Sequence, residues 1–114
     1  MSRRLRVGLL AALATGVAVA TGPAGALGGA GEASTHAVTL KNIRFHPGTL
    51  TIRRGDSVTW LWRERTLHNV TFRHSHSRTQ ASGSYTLRFS RTGTFAYFCS
   101  IHVALGMRGR IIVR

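Results

Sequence analysis

Several of the residues that usually staple or equip a small domain are scarce in this chain. Cys99 is the only cysteine, so no disulfide can form within the chain. Glu32, Asp56 and Glu64 are the only acidic residues. No catalytic dyad can be read from the sequence, and nothing suggests an open metal position or a second metal centre, so an enzyme is not expected. Lys41 is the only lysine, and nearly all of the +13 formal charge is arginine. Those arginines are scattered and never form a dense run, so neither a groove nor a recognition helix for nucleic acid suggests itself. One of the two methionines is Met1, which excludes a methionine-rich metal carrier. After residue 30 no segment keeps a 3.6-residue apolar period, which limits helix to a turn or two.

The amino-terminal part does have an apolar run. Arg3, Arg4 and Arg6 precede Val7 to Ala20, which is apolar or small apart from Thr15. Small-residue sites follow at Ala18-Val19-Ala20 and Ala24-Gly25-Ala26. This is the layout of a cleaved export signal, and the run is shorter than the roughly 20 residues that span a bilayer. The reading is a signal peptide over 1–26 with its cleavage site open, a flexible linker over 27–35, and one domain over 36–114. Arg3-Arg4 raises a twin-arginine route, but Arg6 and Val7 match poorly what normally follows, so the route stays open. The expected destination is a periplasm or the cell exterior. Without the leader arginines the charge falls to about +10. Its expected counterparts there are an acidic protein partner and, loosely, anionic membrane or wall polymers.

From His36 onward short alternating runs are broken by turns such as His46-Pro47-Gly48, Arg54-Gly55-Asp56 and Thr92-Gly93. Val58, Trp60 and Trp62 share one strand face, as do Phe95, Tyr97 and Cys99. Ile43 is read with the opening strands, and Val70 with Phe72 as a further strand. The fold class is all-β, a Greek-key sandwich of about seven strands. Trp60, Trp62, Phe72, Phe89, Phe95 and Tyr97 are the core candidates.

A domain of on the order of 80 residues is marginal without a staple. A lone cysteine in an exported chain points to intermolecular pairing, a reactive thiol or a metal ligand, and only the metal also supplies the staple. Cys99, His102 and Met107 follow one another as Cys-x2-His-x4-Met where a strand ends and the next begins. His68, after a polar connection, is the place to look for a second imidazole. Two imidazoles and a thiolate with a weak axial thioether form the blue-copper donor set. His74 and His76 form a His-x-His pair on a polar loop and are read as solvated; His36 and His46 are read as structural or exposed.

Phe45 to Ile52, Gly55 to Trp60, Leu67 to Phe72 and Tyr97 to Met107 resemble the corresponding segments of a small cupredoxin of the plastocyanin, pseudoazurin and amicyanin group. The resemblance covers roughly Val38 to Arg114 and implies a blue type 1 copper protein with one copper ion per chain. It implies His68, Cys99 and His102 as equatorial ligands, Met107 as the axial one, and Asn69 as the amide that steadies the thiolate region. It also implies one-electron transfer through the edge of His102, within an apolar patch of Leu67, Val103, Ala104 and Leu105. The expected protein is a monomeric electron carrier working with a redox partner, not an enzyme. Where the family often has proline before each histidine, this chain has Leu67 and Ile101. The acidic docking patches of plant plastocyanins are missing, so their partners are not expected. Copper storage or delivery is the alternative reading, and a metal-free basic surface module is a third.

Overall fold

The computed structural model describes residues 32–114. The expected leader over 1–26 and most of the linker lie outside the described residues. Ser34 is already tied to the domain, and the first strand starts at Thr35.

Seven strands occur among the described residues: β1 Thr35–Lys41, β2 Arg44–His46, β3 Thr49–Ile52, β4 Ser57–Trp62, β5 Ser84–Arg88, β6 Gly93–Phe98 and β7 Arg108–Val113. They form a four-stranded sheet in the order β2-β1-β4-β5 and a three-stranded sheet in the order β3-β7-β6. β1 pairs parallel with β4, and β3 parallel with β7; the other pairings are antiparallel. The all-β sandwich read from the sequence is what forms.

The alternation explains why. Val58, Trp60 and Trp62 on β4, Val38 and Leu40 on β1, and Ile111 and Val113 on β7 point into one core, while their neighbours face outward. Burying each such side chain stabilises the fold by about 1.5–3 kcal/mol. Tyr97 lies at the centre, with Phe45, Phe72 and Trp60 ring centroids 4.7, 5.0 and 5.3 Å away. Gly109 faces Tyr97 in the β6–β7 register, and a Cβ there would lie 2.5 Å from the ring's Cζ. Only glycine lets the ring lie across β7. Phe72 and Phe95 are half-buried, so they flank the core that the sequence reading put them in.

Two local expectations are corrected. Asn42 and Ile43 form the two-residue turn between β1 and β2, both with positive φ (56° and 54°). That is the primed turn a tight hairpin needs, but a β-branched residue is seldom found in it. Hairpin closure thus takes Ile43 out of the strand. The segment from His68 to Phe72 is not a strand but a stitched connection. His68 pairs with Gln80, and Thr71 bridges both His76 and Phe98. Polar residues on either side and a shared Ser77 side chain leave no room for a continuous ladder: Ser77 Oγ, not a backbone carbonyl, accepts from Val70 N.

Candidate metal centre

The bridge between Thr71 and Phe98 brings the two segments of candidate ligands together. Thr71 N donates to Phe98 O at 2.8 Å, and Phe98 N returns the bond at 3.1 Å. His68 thus lies three residues from one end of that bridge and Cys99 directly after the other. The stretch after Cys99 is folded tightly by its own backbone. Val103–Leu105 form one 3-10 turn, closed by Gly106 in the left-handed region (φ 87°). Leu105 N and Met107 N both donate to His102 O, at 2.8 and 3.3 Å, and Cys99 N donates to Met107 O at 3.0 Å. Chain reversal therefore sets Met107 beside Cys99 although eight positions separate them.

Three sequence candidates bring their donor atoms together here, and Met107 is tied to them through its backbone. His68 Nδ1 lies 3.2 Å from His102 Nδ1 and 3.9 Å from Cys99 Sγ, and Cys99 Sγ lies 3.6 Å from His102 Nδ1. His68, Cys99 and Met107 are fully buried, whereas His102 is half-buried. Donors bonded to one first-row ion at about 2.0–2.3 Å in a trigonal plane stand roughly 3.5–3.7 Å apart. The observed separations bracket that spacing, so the three donors fit a shared ion with shifts of a few tenths of an ångström. Two imidazoles and a thiolate also match copper in chemical character. Among the described residues this is the one cluster of histidine, cysteine and acidic groups close enough to hold a metal.

Asn69, buried next to His68, joins the two segments. Its Oδ1 accepts from Ser100 N at 2.9 Å and Thr71 Oγ1 at 2.8 Å, while Nδ2 donates to Ser100 Oγ at 2.8 Å and Thr79 Oγ1 at 3.0 Å. All of its polar capacity is used, and the residue following Cys99 is held from both its backbone and its side chain. Of the expected apolar patch, Leu67 (53 %) and Leu105 (67 %) are well exposed, Ala104 is exposed and Val103 is half-buried. Ile101, at 48 %, belongs with them; the sequence reading treated it only as a missing proline. His74 and His76 are exposed on the loop before β5, and His76 Nδ1 donates to Ser77 O at 2.9 Å.

Glu64 is the participant that sequence reasoning missed. Its Oε2 lies 2.6 Å from His68 Nε2, and its two oxygens accept from the backbone amides of Asn42 (2.9 Å) and Ile43 (3.1 Å). Burial pushes this carboxyl up, but the hydrogen bonds from His68, Ile43 and Asn42 outweigh it and hold it below the ordinary carboxylate value. The available signal was compositional: Glu64 is one of three acids and stands four positions before His68. In a chain that is not helical there, that spacing carries no rule.

The sequence and the fold both have known counterparts. Residues 31–114 match the model of the copper-binding proteins of the plastocyanin/azurin family. The chloroplastic plastocyanin of Tetradesmus obliquus is 34% identical over 84 residues, which cover 61% of this chain and 58% of that one. Amicyanin of Paracoccus denitrificans is 30% identical over 84 residues, covering 67% and 63%. The chain therefore spans less than two thirds of either relative's length. Among solved structures, an oxidized amicyanin mutant superposes with a TM-score of 0.64 at 28% identity, over 69% of this chain and 81% of its own.

Proposed function

The chain belongs to the plastocyanin/azurin family of copper-binding proteins, and on that premise we propose that it is an exported one-electron carrier in which His68, Cys99, His102 and Met107 hold a single copper ion. Its cofactor is copper, the metal of the family. The observation that supports the ligand assignment best is the convergence of His68 Nδ1, Cys99 Sγ and His102 Nδ1, drawn from two distant segments, within 4.8 Å of one another.

Bound in that cluster, copper supplies one-electron exchange between Cu(I) and Cu(II). The residues do the rest. Complete burial of Cys99 and His68 keeps water from the thiolate and the imidazole. The Asn69 bonds and the folded Cys99–Met107 loop hold the donors in one arrangement for both charge states, which keeps reorganisation on electron exchange small. Of the three clustered donors only His102 is partly accessible. Ile101 and Leu105 flank it along the loop, and Leu67 adjoins His68, whose ring is 3.2 Å away. This supports His102 as the short way from the cluster to the surface, through an apolar face that excludes water on contact. In this reading the protein turns over no substrate of its own and acts as a monomer.

Arg63, Arg65 and Arg108 flank the ligand segments along the chain and are exposed. They favour an acidic docking partner, whose encounter is faster at low salt. Electron exchange that ignores ionic strength would overturn that part of the reading. The test of the centre itself is the purified protein with Cu(II). An intense blue thiolate-to-copper band is expected, and it disappears in Cys99→Ser. A colourless protein that takes up no Cu(II) would sink the proposal.

A further inference from the structure

Glu64 reaches His68 on the side of the ring that faces away from the donor cluster. Its Oε2 is 2.6 Å from Nε2, while Nδ1 of the same ring lies 3.2 Å from His102 Nδ1 and 3.9 Å from Cys99 Sγ. An ionised carboxylate offers only acceptors. The proton at this contact therefore sits on Nε2, which donates to Glu64. A neutral imidazole protonated at Nε2 has a bare lone pair at Nδ1, and that lone pair points at Cys99 and His102. The carboxylate is itself held in place. Asn42 N donates to Oε1 at 2.9 Å and Ile43 N to Oε2 at 3.1 Å. Those amides come from the left-handed turn between β1 and β2, where Ile43 takes a conformation that β-branched residues avoid. The glutamate side chain is only 20% exposed and the histidine side chain 0%, so water competes little for the bond.

We propose that Glu64 is the positioning residue of the copper centre: anchored by the Asn42–Ile43 turn, it selects the tautomer of His68, fixes the ring and makes Nδ1 a stronger donor. This inference rests on the copper reading above and adds what sets the strength of one ligand. A carboxylate behind a metal-binding imidazole raises its basicity, and loss of such a partner lowers metal affinity by about 10–100-fold. A more basic nitrogen favours the more highly charged ion, so the effect on Cu(II) exceeds that on Cu(I).

Glu64→Gln keeps the shape and removes the charge. Its Cu(II) affinity is expected to fall by about 10-fold or more, with a smaller loss for Cu(I). The reduction potential then rises, by ~59 mV for each tenfold change in the ratio of the two affinities. The second measurement needs no variant. In the metal-free wild-type protein, the imidazole nitrogen-15 shifts of His68 are expected to show a protonated Nε2 and a bare Nδ1. They are also expected to show an Nε2 proton that exchanges slowly with water. If the wild type takes up no copper, the underlying reading fails and this inference with it. If the wild type is blue while Glu64→Gln matches its potential and its Cu(II) affinity, this inference alone is overturned. A proton on Nδ1 of metal-free His68 overturns it too, and decides the matter even where Glu64→Gln does not fold.

Discussion

The two ends of the parallel β1–β4 pair carry the same chemical device put to different use. At one end Asp56, just before β4, accepts from Ser34 N (2.9 Å) and Arg53 N (3.1 Å) and meets His36 Nε2 at 2.9 Å. At the other end Glu64, just after β4, accepts from two backbone amides and meets His68 Nε2 at 2.6 Å. Each carboxylate thus binds two backbone amides and one histidine. The difference lies beyond the imidazole. The His36 side chain is 30% exposed, while that of His68 is fully buried with its other nitrogen in the thiolate cluster. A carboxylate–histidine pair is a structural clasp at one end of the sandwich and, in the proposed reading, backs a copper ligand at the other, according to what the second ring nitrogen faces.

The widest separation between the ends should come from deleting each histidine. His68→Ala is expected to abolish the blue band and lower Cu(II) affinity by at least 100-fold. His36→Ala should leave copper stoichiometry and colour intact and lower only the thermal midpoint. Copper titration followed by visible absorption and calorimetry measures both, and a colour loss in His36→Ala would break the comparison.

A smaller effect is expected from Asn69→Ala. It removes the four hydrogen bonds of a buried amide side chain, among them the one that holds Ser100 N, at a cost of about 1–3 kcal/mol in urea unfolding. Because Ser100 follows Cys99, the blue band should also broaden or shift, a response no variant at the Asp56 end should show. Unchanged spectrum and stability would mean that Asn69 does not hold the thiolate segment.

The Asp56 end has its own signature in pH. The bonds from Ser34, His36 and Arg53 hold the Asp56 carboxyl at about 2, below its ordinary 3.8. A depressed carboxyl contributes stability that is complete above the unfolded value and is lost as pH falls through the folded one. Urea midpoints of the metal-free protein should therefore drop between about pH 4 and pH 2, and Asp56→Asn should flatten that window. An equally steep drop in the variant would place the acid sensitivity elsewhere.

The smallest change in stability is expected on the exposed apolar face. Leu105→Ala removes a side chain that is 67% exposed, so unfolding should shift by less than about 0.5 kcal/mol. Electron self-exchange should slow nonetheless if that face is the contact surface. An unaltered rate would detach the patch from the copper end.

Much of this was legible along the chain because it depends on local alternation and on residue chemistry. Val58, Trp60 and Trp62 share a face in any register, and a lone cysteine followed by His102 and Met107 names a soft donor set wherever it folds. What misled were places where a remote partner outweighs local preference. Ile43 reads as a strand residue, yet hairpin closure and the Glu64 carboxylate hold it in a left-handed turn. Val70 and Phe72 alternate as a strand should, yet Val70 bonds to the Ser77 side chain and Thr71 between them pairs with His76 and Phe98 one at a time.

The sequence alone thus determined the kinds of atoms available to a metal and the two-residue rhythm that folds them into a sandwich. Only the tertiary structure decided which nitrogen of His68 faces inward. Glu64 meets Asn42 across 22 positions and His68 across four, and the parallel pairing of β1 with β4 brings all three together. Hydrogen bonds select among ring orientations that alternation leaves equivalent, and those bonds exist only once the strands are paired.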